Sequence, residues 1–461
     1  MAVKSVVLAA GAGTRMKSTR PKVIHDLAGL PLLRWVLDAI ASIDLDEVVV
    51  VVGHRAEEVE KILPEGVVSR LQDRQLGTGH AVQAGLTGME IGGHSILVLP
   101  GDMPLLTEST ISELLSVHQA SAAAATVLTA EIKNSDFGRI LRNDGGDLVQ
   151  IVEARDADPD QAAVQEVNGG VYVFDGSLLE AALDDLTTEN SQGEYYLTDV
   201  IGILARSGHR LGTVTTDSVE LTGVNSHQQL AAAADLVRRR INDKWMSEGV
   251  WMQDPERTYI GARVRLAPGV RLFPDVHLEG TTEVGEDSQL GPDVYALDTR
   301  IGAGSRVWYS VMRGSSVGDG AEVGPYASLR PGSVLEARSK LGTFVETKNT
   351  RLGEGAKVPH LAYMGDADIG AGANVGAGSI TCNYDGVSKY PTKIGEGAFI
   401  GSDTMLVAPV TVGDDAFTGA GSVITHDVSP GALAVERSEQ KEIRGYSARV
   451  EARKKKKRQG E

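Results

Sequence analysis

Residues 260–290 read IGARVRLAPGVRLFPDVHLEGTTEVGEDSQL. Counting in sixes from Ile260 lands on Leu266, Leu272, Leu278, Val284 and Leu290. A period of six suits neither an α-helix nor the simple alternation of one strand. It suits a three-sided coil in which each side sends one aliphatic side chain inward and each corner turns on a small or turn-forming residue. Outward from this stretch the pattern resumes at Ile301 and Val307. It continues at Val317, Val323, Leu329, Leu335 and Leu341, then at Ile369 and Val375, and then at Ile394, Ile400, Leu406 and Val412, with Thr418 in phase before Ile424. The 54 glycines of the chain include many that follow these aliphatics directly, as in Ile260-Gly261, Val317-Gly318 and Ile394-Gly395. A disordered Gly-rich segment would not keep its aliphatics in phase. The phase breaks near 296–300, 309–316, 347–351, 359–368 and 381–393 predict loops that leave the coil, which is where a regular scaffold carries its chemistry.

The first half has a different rhythm. Residues 3–10 read as a buried strand that runs into Gly11-Ala12-Gly13-Thr14-Arg15, a loop expected to open a helix. Apolar runs at 48–52, 96–99 and 171–174 alternate with helical patterns at 32–40 and 111–118, which predicts a mostly parallel sheet. The glycine loop lacks the third glycine of a dinucleotide fingerprint, with Met16 in that place, and lacks the lysine and hydroxyl of a Walker loop. Its backbone N–H groups are either phosphate ligands or part of a plain tight turn. Between Asn225 and Tyr259, the run from Leu230 to Ile241 contains no Pro or Gly and predicts a long helix.

Composition narrows the function. Apolar residues are 42% and charged residues 23% of the chain, as in an ordinary globular protein. No apolar run is long enough for a membrane helix. The single cysteine, Cys382, cannot form an intrachain disulfide, which points to a reducing, cytoplasmic compartment. A net charge of −17 argues against nucleic acid as a partner. The exception is residues 453–458, all basic: either a solvated arm or a clamp for a phosphate-bearing ligand.

Motifs make the assignment narrower. LAAGAGTRM at 8–16 with Pro21-Lys22 resembles the signature of sugar-1-phosphate nucleotidyltransferases. So do Gln72 with Gln75-Leu-Gly-Thr-Gly-His80, Pro100-Gly-Asp102, Phe137-Gly138-Arg139-Ile140, Ile151-Val-Glu153, Asn168-Gly-Gly170 and Gly223-Val-Asn225. The second half resembles the hexapeptide-repeat acyltransferases, whose coil is a left-handed parallel β-helix. Together, over nearly the whole chain, the motifs resemble the family of bifunctional N-acetylglucosamine-1-phosphate uridylyltransferases/glucosamine-1-phosphate acetyltransferases. Two departures are Ala12, where many relatives carry lysine, and Pro100, where a tyrosine is common.

The resemblance implies a Rossmann-like nucleotidyltransferase domain at 1–227 with a mixed, mostly parallel sheet, a helical linker at 228–248, and an acetyltransferase β-helix with its basic tail at 249–461. It implies that Leu8, Ala9, Ala10, Gly11, Arg15, Lys22, Gln72, Gly77, Thr78, Gly138, Glu153, Asn168 and Asn225 bind UTP and UDP-N-acetylglucosamine. Asp102 and Asn225 would hold Mg²⁺, a hard cation that takes few protein oxygens beside phosphates. In the second half, His360 would be the general base, a role that suits imidazole near neutral pH. Arg330, Lys348, Tyr363 and Asn374 would hold glucosamine-1-phosphate. Ala377, Asn383, Tyr384, Ser402, Ala420 and Arg437 would hold acetyl-CoA. A homotrimer built through the β-helix is also implied. Two other functions remain open to the residues alone. One is a nucleotidyltransferase whose coil only assembles; the other is a sensor that binds nucleotide-sugars without turnover.

Overall fold

The computed structural model describes residues 2–133 and 135–459; the outermost residues of the expected end domains, 1 and 460–461, lie outside them. Two compact units result, one holding residues up to Lys244 with Ile260–Ala262, the other Trp245–Tyr259 with the chain from Arg263 on.

In the first unit the strand Val3–Leu8 pairs in parallel with Glu47–Val52 on one side and Ser95–Pro100 on the other. Glu47–Val52 in turn pairs with Val68–Leu71. The long strand Glu166–Asp175 runs antiparallel to both Ser95–Pro100 and Ala125–Glu131, and Leu211–Thr215 closes the far edge in parallel. The sheet is therefore mixed. Its continuous apolar strands are buried on both faces, with Val6, Val7, Val49, Val50 and Val98 fully enclosed. The chain first builds outward from Val3–Leu8 to one side and then crosses to the other. Such a reversal opens a crevice at the carboxyl ends of the two central strands, at Leu8–Gly11 and Pro100–Asp102.

One local expectation is corrected. The glycine loop opens no α-helix: only a single 3-10 turn, Thr14–Met16, follows, and Lys17 ends it in the left-handed region. The polar stretch 17–20 and Pro21 then lead to a second such turn, Lys22–Ile24, so the glycine loop itself brings no α-helix N-terminus to the crevice. The helix His227–Ser247 sits where a linker helix was expected. It is no bare spacer, since its Ala233 and Val237 are buried against Met16, Leu27, Leu32, Leu105 and Val224.

In the second unit the chain winds through three parallel sheets, each strand pairing with the one a coil later. Every aliphatic on the six-residue count from Ile260 to Ile424 is buried, so coils stack on one continuous apolar column. Four of the five phase breaks do not leave the coil. Leu266 pairs with Val284 over a full three-hexad coil, whereas Val284 pairs with Ile301 and Ile301 with Val317 over coils shortened by one or two residues. The shortening is taken up at corners, where a single residue in the left-handed region turns the chain: Asp298, Tyr309, Asn349, Leu361 and Asp366. The ladder register survives while the sequence count slips. Only 381–393 departs, where Ile369 pairs with Ile394 across an inserted hairpin bridged at Tyr384 and Lys389. The basic tail lies on an exposed helix, Tyr446–Arg458, with no buried residue. No helix among the described residues is long and apolar enough to cross a membrane.

One buried titratable group tests the first core. His118 lies in the helix Glu108–Ser121 and meets Thr126 at 3.0 Å. Burial pushes its pKa below the ordinary imidazole value, with Asp175 opposing in part. The unfolded chain thus takes up a proton that the folded chain refuses. The neutral ring's contribution to stability is complete above about pH 6.5 and shrinks as the pH falls below it. The denaturation midpoint should drop between about pH 7.5 and 5.5, and the drop should be smaller in His118→Gln. An equal drop in both proteins contradicts this assignment.

Candidate active sites

The crevice is a cavity of about 440 Å³. Leu8, Ala9, Ala10, Gly11, Lys22, Gln72, Gly77, Thr78, Asp102, Glu153 and Asn168 line it, as the motifs predict. Its floor is fixed by backbone bonds between strand ends: Gly101 N–H donates to Leu8 O at 2.9 Å and Ala9 N–H to Val51 O at 2.9 Å. Val224 N–H donates to the Asp102 carbonyl at 3.0 Å, which brings the Gly223–Asn225 segment to the mouth.

There the Lys22 ammonium donates to Asp102 Oδ2 at 2.5 Å and to Asn225 Oδ1 at 2.9 Å. Three segments far apart in sequence converge on one cation, with Lys22 and Asp102 about 15% exposed. Among the described residues no cluster of three or more His, Cys, Asp or Glu exists to hold a metal. The two oxygens already converge on a positive charge, and that hard donor pair suits Mg²⁺.

Gln72 is buried, and its Nε2 donates to Gly77 O at 3.1 Å and meets His80 Nδ1 at 3.0 Å. Gln75 Nε2 donates to Ala10 O at 2.6 Å. Gly77 has φ +114, and a Cβ there would stand 2.5 Å from Tyr195 O, so the N-terminus of the helix Thr78–Leu86 needs glycine. Thr78 Oγ1 accepts from Leu197 N–H at 3.0 Å. On the opposite wall Asn168 pairs with Thr129, and a bulge shifts the register of the strand Glu166–Asp175 between Asn168 and Tyr172. Asn168 Nδ2 donates to Tyr172 Oη at 2.7 Å. Glu153 is not a solvated surface carboxylate: burial pushes its pKa up, against the pull of a 3.1 Å hydrogen bond from Thr198.

Three predicted residues lie off the lining; one of them, Asn225, joins the site through its bond to Lys22. Arg15 is exposed on its 3-10 turn. Gly138 stands behind the wall, its carbonyl accepting from Asn168 N–H at 2.9 Å. The motifs missed Tyr172, Glu194 and Thr198, which line the cavity without belonging to any quoted motif.

On the coil, the segment around His360 is strand, not excursion. His360 ends the strand Lys357–His360, exposed; Leu361 turns the corner; Tyr363 begins the next side. Gly378 N–H donates to His360 O at 3.3 Å, Asp403 N–H to Ala377 O at 2.7 Å, and Gly421 N–H to Ser402 O at 2.8 Å. Ala377, Ser402 and Ala420 thus climb the same corner as His360, one coil apart, which is ~4.8 Å per step. Arg437 Nη1 donates to Ala420 O at 3.1 Å and ends the track. Small side chains keep that corner open along its length.

A second group lies on the adjoining side. Lys348 pairs with Gly365 in register, and Glu346 with Tyr363. Arg330 Nη1 bonds Glu346 Oε1 at 2.9 Å. Contact with Lys389, that residue's charge and the charge of Arg330 push the Lys348 pKa down. This is a cluster of positive charge suited to a phosphate. Lys389, from the inserted hairpin, is the member that the sequence did not single out. A Cβ on Gly365 would stand 2.5 Å from Tyr363 Oη and 2.7 Å from Asn383 Nδ2, so both polar groups crowd this side. Asn383 Nδ2 also donates to Asp366 Oδ2 at 2.6 Å. Asn374 begins a two-residue strand in register with Lys357, on the sheet that carries His360. Tyr384 is exposed on the hairpin. Burial raises the Cys382 pKa, which keeps the thiol protonated and a poor nucleophile.

A crevice of this kind on a mixed sheet, joined to a coil of hexapeptide repeats, defines a two-domain transferase. Residues 5–194 match the MobA-like NTP transferase domain, and 391–426 match the bacterial transferase hexapeptide (six repeats). The bifunctional protein GlmU of Desulfitobacterium hafniense is 46% identical over 444 residues, covering 96% of this chain and 98% of that protein. That of Streptomyces coelicolor is 49% identical over 453 residues, 96% and 94% respectively. The chain belongs to the bifunctional GlmU family. It is an enzyme with two transferase activities in UDP-N-acetylglucosamine synthesis, uridylyl transfer and acetyl transfer, and its coil is the left-handed parallel β-helix of the hexapeptide class.

Gly77→Ala should lower uridylyl transfer by at least tenfold, because the strained residue displaces the helix start that carries Thr78 and supports Gln72. Acetyl transfer should be unchanged. Steady-state rates of both reactions check this, and unaltered uridylyl transfer contradicts it.

Proposed function

We propose that the coil first acetylates glucosamine-1-phosphate from acetyl-CoA, and that the crevice then joins the product to UMP from UTP with Mg²⁺, releasing pyrophosphate. The convergence of Lys22, Asp102 and Asn225 carries the second half of this proposal. Both reactants there are anions, so charge neutralisation and in-line placement are the main demands. Mg²⁺ bound by Asp102 and Asn225 would supply positive charge against the phosphates. Lys22 then turns its ammonium to the triphosphate. Gln72, with the backbone at Gly77 and Thr78, faces the base. Asn168 and Glu153 face the sugar, where a buried carboxyl is an orienting partner for hydroxyl and amide groups. The sugar-phosphate oxygen attacks the α-phosphorus, and the bond to pyrophosphate breaks. Arg15, exposed on its 3-10 turn, meets the outer phosphates.

In the coil, Arg330, Lys348 and Lys389 take the sugar phosphate, and Tyr363 and Asn374 take the sugar. The pantetheine arm follows Ala377, Ser402 and Ala420 towards Arg437, flanked by Asn383 and Tyr384. His360 accepts the proton of the attacking amine as nitrogen bonds the thioester carbon and the thiolate leaves.

A homotrimer completes the proposal. Tyr309, Tyr326, Phe344 and Leu361 stack at one corner on consecutive coils, and the last three are more than half exposed. All four have positive φ, which costs a residue with a side chain roughly 1–2 kcal/mol. An exposed, strained apolar column beside His360 is well suited to burial against a second copy. The cytoplasm, where these substrates arise, is the proposed location.

A crossed pair of variants tests the two sites. Asp102→Ala should abolish uridylyl transfer, by at least a hundredfold, and spare acetyl transfer. His360→Ala should do the reverse, with its loss partly relieved at higher pH as more amine is neutral. Equal loss of both activities in either folded variant sinks the division. For assembly, Phe344→Asp should lower the mass seen in sedimentation; an unchanged mass counts against this corner as the seam.

A further inference from the structure

The amide of Gln72 is oriented by its surroundings. Gly77 O can only accept, so the nitrogen of the amide, not the oxygen, must face it. The same Nε2 reaches His80 Nδ1 at 3.0 Å. Nε2 carries two hydrogens, and these two partners use both. The geometry then assigns His80 Nδ1 as the acceptor, with the ring hydrogen on Nε2. What remains of the amide is Oε1, an acceptor with no donor beside it, on a buried residue that lines the nucleotide cavity. Neither the helix position of His80 nor its place in a motif explains why an acceptor should stand behind Gln72; the geometry does.

We propose that His80 is a positioning residue for base selection: by taking the second N–H of Gln72 it leaves only an acceptor facing the nucleobase. This rests on the proposal that the cavity takes UTP. An acceptor set against the ring edge pairs with uracil, whose N3 carries hydrogen. It repels cytosine, whose N3 carries a lone pair. Without an acceptor at position 80, only Gly77 O holds the amide nitrogen inward, so the flipped amide, which offers N–H to the base, costs one hydrogen bond instead of two. His80 touches no substrate in this scheme. His80 also lines a separate surface depression with Arg70, Asp73, Gln83 and Thr87.

The test compares two side chains of nearly equal shape. In His80→Asn, Oδ1 replaces Nδ1 as acceptor; in His80→Leu, nothing does. The ratio of kcat/KM for UTP over CTP is read for each, with the ratio of dissociation constants for the two nucleotides as second readout. Acetyl transfer by the same preparations controls for folding, and His80→Ala replaces the leucine variant if that control fails. The leucine or alanine variant should lose at least tenfold in the UTP/CTP ratio, and the asparagine variant should stay within about threefold of wild type, since one unmet hydrogen bond is worth about that tenfold factor. Equal ratios in all proteins overturn the inference, as does an asparagine variant as impaired as the leucine one. Wild-type protein that binds neither nucleotide overturns the UTP reading itself, and the inference with it.

Discussion

A single ammonium holds the nucleotidyl site together. Lys22 reaches Asp102 and Asn225, residues that lie on a 3-10 turn, a strand end and the approach to a long helix. A half-buried cation and carboxylate left unpaired are costly, so the three segments stay gathered when no substrate is bound. The same oxygens are the ones a divalent cation would use. The crevice is thus organised in advance for positive charge, and the polar walls at Gln72, Asn168 and Glu153 are fixed around it by bonds to neighbours on the same fold.

The coil obeys a different constraint, the parallel register of its ladders. Each strand must meet its partner one coil on, so chain can be removed or added only at corners. Removal gives tight corners turned by one left-handed residue, and these bring His360 and Tyr363 to either side of Leu361. Addition happens once, at the hairpin that supplies Asn383, Tyr384 and Lys389. The acetyl-site residues therefore sit on a rigid ladder, apart from one loop, and their spacing is set by coil rise.

Much of this was legible in the sequence, because the coil's inward positions depend only on local period. Every counted aliphatic from Ile260 to Ile424 is buried. The count misled where it slipped: a shortened corner and a loop both break phase, and only backbone pairing distinguishes them. The glycine loop misled in another way. Its composition allows a helix to follow, but Lys17, the polar run after it and Pro21 divert the chain. Motifs located the crevice residues by resemblance, yet Tyr172, Glu194 and Thr198 reach it through tertiary packing that no short pattern carries. His80 was inside a quoted motif and Lys389 inside a flagged phase break. Neither showed its role until its partner, Gln72 in one case and Lys348 in the other, was in place.

The most direct test of the account is a crystal structure with Mg²⁺ and UDP-N-acetylglucosamine. The account predicts an ion bonded to Asp102 Oδ2 and Asn225 Oδ1 at about 2.1 Å, with the Lys22 ammonium moved from between them onto phosphate oxygen. Lys22 still bridging Asp102 and Asn225 while the ion binds elsewhere would contradict it.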